Sequence, residues 1–339
     1  MSTPNRCLVR GSISESPAIL HNRAHQTVSD IDEFFHLPHI VRPGETISST
    51  KLTKRAGGKG ANQAFAVARA AGQVDLDGAI GQDGVWVQDL LASAGVGVKR
   101  LLTVDDEVTG RAVIQSSQDG ENSIVLHAGA NYHVPATNAP PSISGYTHLL
   151  LQNEIPLAST LSYLSSAGQS SPPVITVFNP SPMLSPQQLR EFPWKYLSWL
   201  IVNEGELGDL LLAFGSTANP GTASEDELRE KASAGILELA ANEYFSPSVG
   251  IICTLGAKGI LYYQPGQKVG YYPAAKLQYP VKDTTGAGDC FAGYFVAGLM
   301  SGQSLEEVLQ SCLTACAICV ESEGAMESVP TREAVAKRL

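Results

Sequence analysis

At 339 residues and 35.8 kDa, with 43% hydrophobic and 17% charged residues, the chain has an ordinary globular composition and length for one large α/β domain or two smaller ones. Its 23 Lys and Arg against 33 Asp and Glu give a formal charge of -10, and no basic run offers to neutralise a phosphate backbone, which argues against nucleic acid as a partner. No apolar stretch approaches the roughly 18 residues of a membrane span.

In chain order, "CLVRGSIS" (7–14) reads as the start of a strand, although Arg6, Arg10, Arg23 and nearby serines faintly resemble a transit peptide. The stretch "DIDEFFHLPHIVRPGETISSTKL" (30–52) looks extended, and "KGANQAFAVARAAG" (59–72) carries a helical period. Residues 109–127 alternate about a "DGEN" turn and read as a β-hairpin, which with 30–52 predicts a small sheet covering the main domain. Pro- and Ser-rich pieces at 134–145 and 168–173 read as loops. Apolar, β-branched runs recur at 123–128, 148–152, 174–179, 198–203 and 249–256, interleaved with helical stretches such as 225–243. That alternation predicts βαβ units, hence an α/β fold with a mostly parallel sheet and helices on both faces. The final "KRL" lacks the small residue of a peroxisomal signal, so the expected address is cytoplasmic, with the nucleus as the alternative.

Cys312, Cys316 and Cys319 have a spacing that resembles an iron–sulfur loop, yet they share one face of the helical "SLEEVLQSCLTACAICVE" and read as small core residues. Cys7, Cys253 and Cys290 are scattered, and no secreted disulfide framework emerges.

Glycine-rich turns before helices suit phosphate binding, because a helix start offers unpaired N–H groups and a partial positive charge. There is no G-x-x-x-x-G-K-[ST], and in "GAGDCFAG" Phe291 takes the place of the third glycine of a dinucleotide fingerprint. In "DTTGAGD" (283–289), Asp289 falls in the first helical turn. There it reads either as a base poised where an acceptor hydroxyl meets a transferred phosphoryl group, or as a plain N-cap. "AGGKGANQA" (56–64) is a second such turn, in which Lys59 and Asn62 are available to polar ligands. "NEGE" (203–206) places Asn203 and Glu206 one helical turn apart, which suits either Mg²⁺ held partly through water or an N-cap with an acidic first turn.

"AGGKGANQAFAVARAAG", "GENSIVLHAGAN", "LLLQNEIPL", "FNPSP", "IVNEGE", "CTLGAKG", "DTTGAGDCFAG" and "GAMESVP" follow one another in an order that resembles the ribokinase-like, phosphofructokinase-B type carbohydrate kinases, from about Asp30 onward. The resemblance implies a single kinase domain over 1–339 with a three-layer αβα ribokinase-like fold and a small β-sheet lid from about 30–52 and 109–127. It implies ATP-dependent phosphorylation of D-ribose at the 5-hydroxyl, with another sugar or nucleoside kinase, or a sugar-binding homologue without turnover, as alternatives. Asp289 would be the catalytic base and the amides of Gly286, Ala287 and Gly288 the anion hole. Gly58, Lys59, Gly60, Asn62 and Glu154 would hold the sugar, Thr254, Gly256 and Gly259 the nucleotide phosphates, and Asn203 and Glu206 the Mg²⁺ of MgATP. Potassium would lie among Asp283, Thr285, Gly324 and Ser328, and the enzyme would be a homodimer joined through the lid.

Two features depart from the family pattern. Its first strand reads G-S-x-N-x-D, whereas this chain has "GSI" (11–13) and "DID" (30–32) with Ser14 to Ser29 between them. That insertion either loops out, leaving Asp32 in the sugar site, or comes from an unspliced or misassigned segment. In both cases Asp30 replaces the family's Asn and adds negative charge beside the sugar. Near the adenine, where relatives often carry a polar residue, this chain offers Leu313 or Thr314.

Overall fold

The computed structural model describes residues 4–13, 31–117, 121–133, 141–224 and 227–339, without the side chains of Ile31, Asp32, Asn122 and Ile124. The insertion at 14–29 and Asp30 lie outside the described residues, as does the side chain of Asp32.

Strand β1 (Cys7–Arg10) already shows how the layers arise. Cys7 and Val9 enter one apolar cluster and Leu8 the other, because successive side chains leave a strand on opposite faces. Next come β2 (Ile31–Leu37), β3 (Lys51–Arg55), α1 (Lys59–Arg69), β4 (Val74–Gly81), α2 (Val85–Ser93), β5 (Gly97–Val104), β6 (Arg111–Ser117) and β7 (Asn122–His127). The middle of the chain holds β8 (His148–Leu151), α3 (Leu157–Gly168), β9 (Ile175–Phe178), α4 (Pro186–Glu191), β10 (Trp199–Asn203), α5 (Glu204–Ala213) and α6 (Leu228–Ala240). The last part runs through β11 (Gly250–Thr254), β12 (Ile260–Tyr263), β13 (Gly270–Tyr272), α7 (Ala287–Met300), α8 (Leu305–Val320) and α9 (Arg332–Ala336).

Nine strands form one sheet in the order β13-β12-β11-β10-β9-β8-β1-β4-β5. All its pairings are parallel except those of β11 with β12 and β12 with β13. One face is covered by α1, α2, α7, α8 and α9, the other by α3, α4, α5 and α6, giving three layers and the expected α/β class. A smaller sheet, β3-β2-β6-β7, joins an antiparallel β6–β7 hairpin to β2 through a parallel pairing.

The interface between α1 and α7 is unusually close. A Cβ added to Gly293 would lie 2.4 Å from Ala66 Cβ and 2.8 Å from the Gln63 carbonyl oxygen, so only glycine lets the two helices meet. Cys312 and Cys319 on α8 are fully buried in the same cluster, in keeping with their reading as core residues.

Candidate active site

Parallel strands all deliver their carboxyl ends to one edge of the sheet, where ligands of open α/β folds bind. Ser12 follows β1, Glu154 follows β8, Asn203 ends β10 and Thr254 ends β11. The first turns of α1 and α7 carry Lys59 and Asn62, and Ala287 to Asp289.

Gly286 is the N-cap of α7 at φ +74°, and a Cβ there would lie 2.8 Å from Ala325 Cα. Left-handed backbone packed against the Ala325 segment leaves no room for a larger residue. The Ala287 amide donates back to the Thr284 carbonyl at 3.3 Å. The amides of Gly286 and Gly288 have no partner among the described residues, and a Cβ on Gly288 would meet nothing within 4 Å. The turn therefore presents two free amides and an open side, and the third amide expected of it is spent on closing the turn itself.

Asp289 is buried and is not the N-cap. Its carboxylate is held from the neighbouring helix: Asn62 Nδ2 donates to Oδ2 at 2.9 Å and Gln63 Nε2 to Oδ1 at 2.8 Å. Gln152 Nε2 donates in turn to Gln63 Oε1 at 2.6 Å, so a chain of amides fixes the carboxylate from β8 through α1. Gln63 and Gln152 were not singled out in the sequence; the available signal was a glutamine within the apolar run of α1. Two buried acceptors, Asn62 Oδ1 and Gln152 Oε1, have no partner among the described residues.

Glu154 accepts from the Lys59 amide at 2.8 Å and from Ser12 Oγ at 2.5 Å. Gly60 makes this junction: a Cβ on it would lie 2.5 Å from the backbone of Gly11 and Ser12. Ile13 N–H donates to Asn131 Oδ1 at 3.2 Å, which brings "GSI", "GGKGAN", "NE" and "AGAN" into one cluster. Gly58 stands before the helix at φ +85°, its carbonyl accepting from the Asn62 amide at 2.8 Å.

Burial raises the Glu154 carboxyl above the usual range, against the pull of Lys59 and its two hydrogen bonds. Burial alone would lower the Lys59 ammonium, but Asp289, Glu154 and Glu206 more than offset it and hold it above the ordinary lysine value. Lys59 thus stays cationic among three carboxylates. It links the Glu154 end of the cleft to the Glu206 end.

At that other end, Asn203 and Glu206 form a capping box on α5: Asn203 Oδ1 accepts from the Glu206 amide at 2.8 Å and Glu206 Oε2 from the Asn203 amide at 2.9 Å. Burial still pushes the Glu206 carboxyl up, despite the Asn203 amide, Lys59 and Ser181, so its charge is under-compensated. Among the described residues, Thr254 Oγ1 makes only a 3.4 Å bond to the Val202 carbonyl. Gly256, at φ +54°, faces open space, whereas a Cβ on Gly259 would lie 2.1 Å from the Tyr272 carbonyl; packing on β13 requires glycine there. Leu313 and Thr314 are both buried, and Thr314 lines a cavity of about 520 Å³ with Ala275, Lys276, Leu277, Gln278 and Arg338.

Asp283 braces the loop beneath the glycine turn, accepting from the Thr285 amide at 2.9 Å and the Gly324 amide at 3.0 Å. Ser328 Oγ lies 3.0 Å from Cys319 Sγ and 3.2 Å from the Ala325 carbonyl, so its hydroxyl is committed inward. Asp283, Thr285, Gly324 and Ser328 form an oxygen-rich neighbourhood around that loop. Among the described residues, no group of three or more His, Cys, Asp or Glu side chains is poised to hold a metal ion by itself. No described helix is long and apolar enough to cross a membrane.

Residues 28–332 match the sequence model of the pfkB family carbohydrate kinase. A ribokinase of Haemophilus influenzae is 32% identical over 310 residues, covering 89% of this chain and 93% of its own. The crystal structure of a ribokinase from Cryptococcus neoformans var. grubii serotype A in complex with ADP is 74% identical, with a TM-score of 0.92 over 99% of this chain and 100% of that one. The structure of Arabidopsis thaliana ribokinase complexed with ribose and ATP is 26% identical, with a TM-score of 0.76 over 99% of this chain and 98% of that one.

Proposed function

Because the chain belongs to the pfkB family of carbohydrate kinases, we propose that it transfers the γ-phosphoryl group of ATP to the 5-hydroxyl of D-ribose. The observation that carries this reading is Asp289, pinned by Asn62 and Gln63 in the first turn of α7 beside the free Gly288 amide. The ribokinase relatives, one bound to ADP and another to ribose and ATP, support the choice of both substrates.

In this reading Asp289 accepts the proton of the 5-hydroxyl as the oxygen attacks phosphorus, and its two amide donors keep it aimed at that oxygen. The Gly286 and Gly288 amides stabilise negative charge on the phosphoryl oxygens as it passes. Glu154 takes hydrogen bonds from the remaining sugar hydroxyls, and Asn62 Oδ1 and Gln152 Oε1, which have no partner among the described residues, accept from others. Gly58, Gly60 and the Lys59 backbone shape that end of the site, and Asp30 and Asp32 are assigned to the same sugar by their place in the family motif. The Lys59 ammonium draws the nucleotide's terminal phosphate toward the acceptor. Thr254 and Gly256 border the phosphates.

The under-compensated Glu206 carboxylate, with Asn203, fits a role in holding magnesium through water, and Asp283, Thr285, Gly324 and Ser328 fit an oxygen-lined potassium site. When bound, these cations neutralise phosphate charge and steady the turn. Lys59, Asp283 and the capping box of α5 place the chain's own groups for that purpose. The exposed Leu52 on β3 and Val125 on β7 favour a homodimer through the small sheet, which a dimer mass by light scattering would support and a monomer mass would refute. We place the enzyme in the cytoplasm, to be checked by imaging a tagged chain.

A coupled ADP-release assay with ribose, MgATP and potassium tests the proposal, run on the full chain and on one lacking Ser14 to Ser29. Turnover with ribose by either chain supports it. Turnover by neither, together with activity on another sugar or a nucleoside, would replace ribose as the substrate.

A further inference from the structure

Three thiols gather where α7 leans on α8, next to the glycine turn. Cys290 follows Asp289 directly, is fully buried, and stands one helical turn beyond Ala287 on α7. Cys316 Sγ donates to the carbonyl of Ala287 at 3.3 Å, so it touches the turn itself. Cys319 faces Ser328 at 3.0 Å, and Cys312 turns away to the Phe291 carbonyl at 3.7 Å. All are free thiols, and phosphoryl transfer needs none of them. Of the four, only Cys316 is partly exposed, so a small oxidant from solvent meets it first. Across the helix interface the thiol one turn beyond the Ala287 that Cys316 touches is Cys290, whereas Cys319 shares its own helix.

We propose that Cys290 and Cys316 form an oxidisable dithiol beneath the phosphate-binding turn, closed to a disulfide by hydrogen peroxide with loss of phosphoryl transfer. The Cys316 sulfur attacks one peroxide oxygen and breaks the O–O bond, giving a sulfenic acid and one water. The Cys290 sulfur then attacks that sulfur, forming the S–S bond and releasing the second water, so two thiols are oxidised as one peroxide is reduced. Closure removes the Cys316 donation to Ala287 and pulls α8 toward the first turn of α7, displacing Gly286 to Gly288 from their working geometry. A dithiol reductant restores both thiols.

The test treats the full chain with millimolar hydrogen peroxide and reads intact mass, disulfide-linked peptides and ADP release. A mass loss of about 2 Da, a peptide joining Cys290 to Cys316, and an activity loss above about tenfold that dithiothreitol reverses are expected. Cys316→Ser and Cys316→Ala should keep basal activity and resist peroxide, and Cys319→Ser should remain sensitive. Reversible loss that persists in both Cys316 variants, a link between other cysteines, or a gain of about 32 Da in place of the crosslink overturns the proposal. Because the link is read by mass, it is judged independently of which sugar the enzyme phosphorylates.

Discussion

Gln63, on α1, donates its side-chain amide to Asp289 Oδ1, on α7, at 2.8 Å. The proposed base is thus oriented from a different helix than its own. Asp289→Asn should keep the fold and nucleotide binding and lower kcat by about 10²–10⁴-fold. Gln63→Leu should lower kcat by about 10–100-fold with a smaller change in KM for ribose, since one hydrogen bond to a charged group is lost and the carboxylate remains. Steady-state kinetics on both variants check this, and a near-normal kcat for Asp289→Asn removes that residue from the role.

Gly286→Ala forces a side chain into left-handed backbone and against Ala325. It should cost about 1–2 kcal/mol of stability and, by tilting the free amides, more than about 10²-fold in kcat. Thermal melting and kinetics together separate the two effects.

Glu154→Gln keeps the shape of the proposed sugar end and removes its charge, so that the Ser12 hydroxyl and the Lys59 amide donate to a weaker acceptor. KM for ribose should rise by about tenfold with KM for ATP little changed. An equal rise in both would place Glu154 outside the sugar site.

Asp283→Asn should keep the loop bonds in part and weaken the response to potassium. Titrating activity against potassium in both forms reads this directly. An unchanged titration curve would move the cation elsewhere.

His148, at the opposite end of β8 from the site, is buried with Nε2 unpartnered among the described residues, and burial lowers its pKa from 6.5 to about 4. The unfolded chain therefore binds the proton first, so this stability is fully present above about pH 6.5 and is lost as the pH falls toward 4. Urea midpoints should drop over that window by an amount worth roughly 2–3 kcal/mol, and His148→Phe should flatten the slope.

The layers and the glycine turns before α1 and α7 were legible because they rest on local signals: small residues at helix starts, and alternating or continuous apolar runs. The doubt over Asp289 was not resolvable from sequence, since a helix start with an acidic first turn looks alike in both readings. In the structure Gly286 is the cap, and the hydrogen bonds from Asn62 and Gln63 turn the Asp289 carboxylate toward α1. Gln63 and Gln152 escaped notice because an amide side chain suits a helix surface as well as a buried network, and the choice is made by the closeness of α1 to α7. The parallel β2–β6 pairing was equally hidden, because a hairpin pattern reports only its own two strands.

The contact through Gly293 has a kinetic meaning. With Ala66 and the Gln63 carbonyl pressed against that glycine, α1 and α7 cannot slide, so the proposed base and both of its amide donors are parts of one rigid block. Orienting the Asp289 carboxylate is work done once, when the chain folds, and on the proposed role is not repeated at each encounter with substrate. Any motion during turnover falls to segments outside that block.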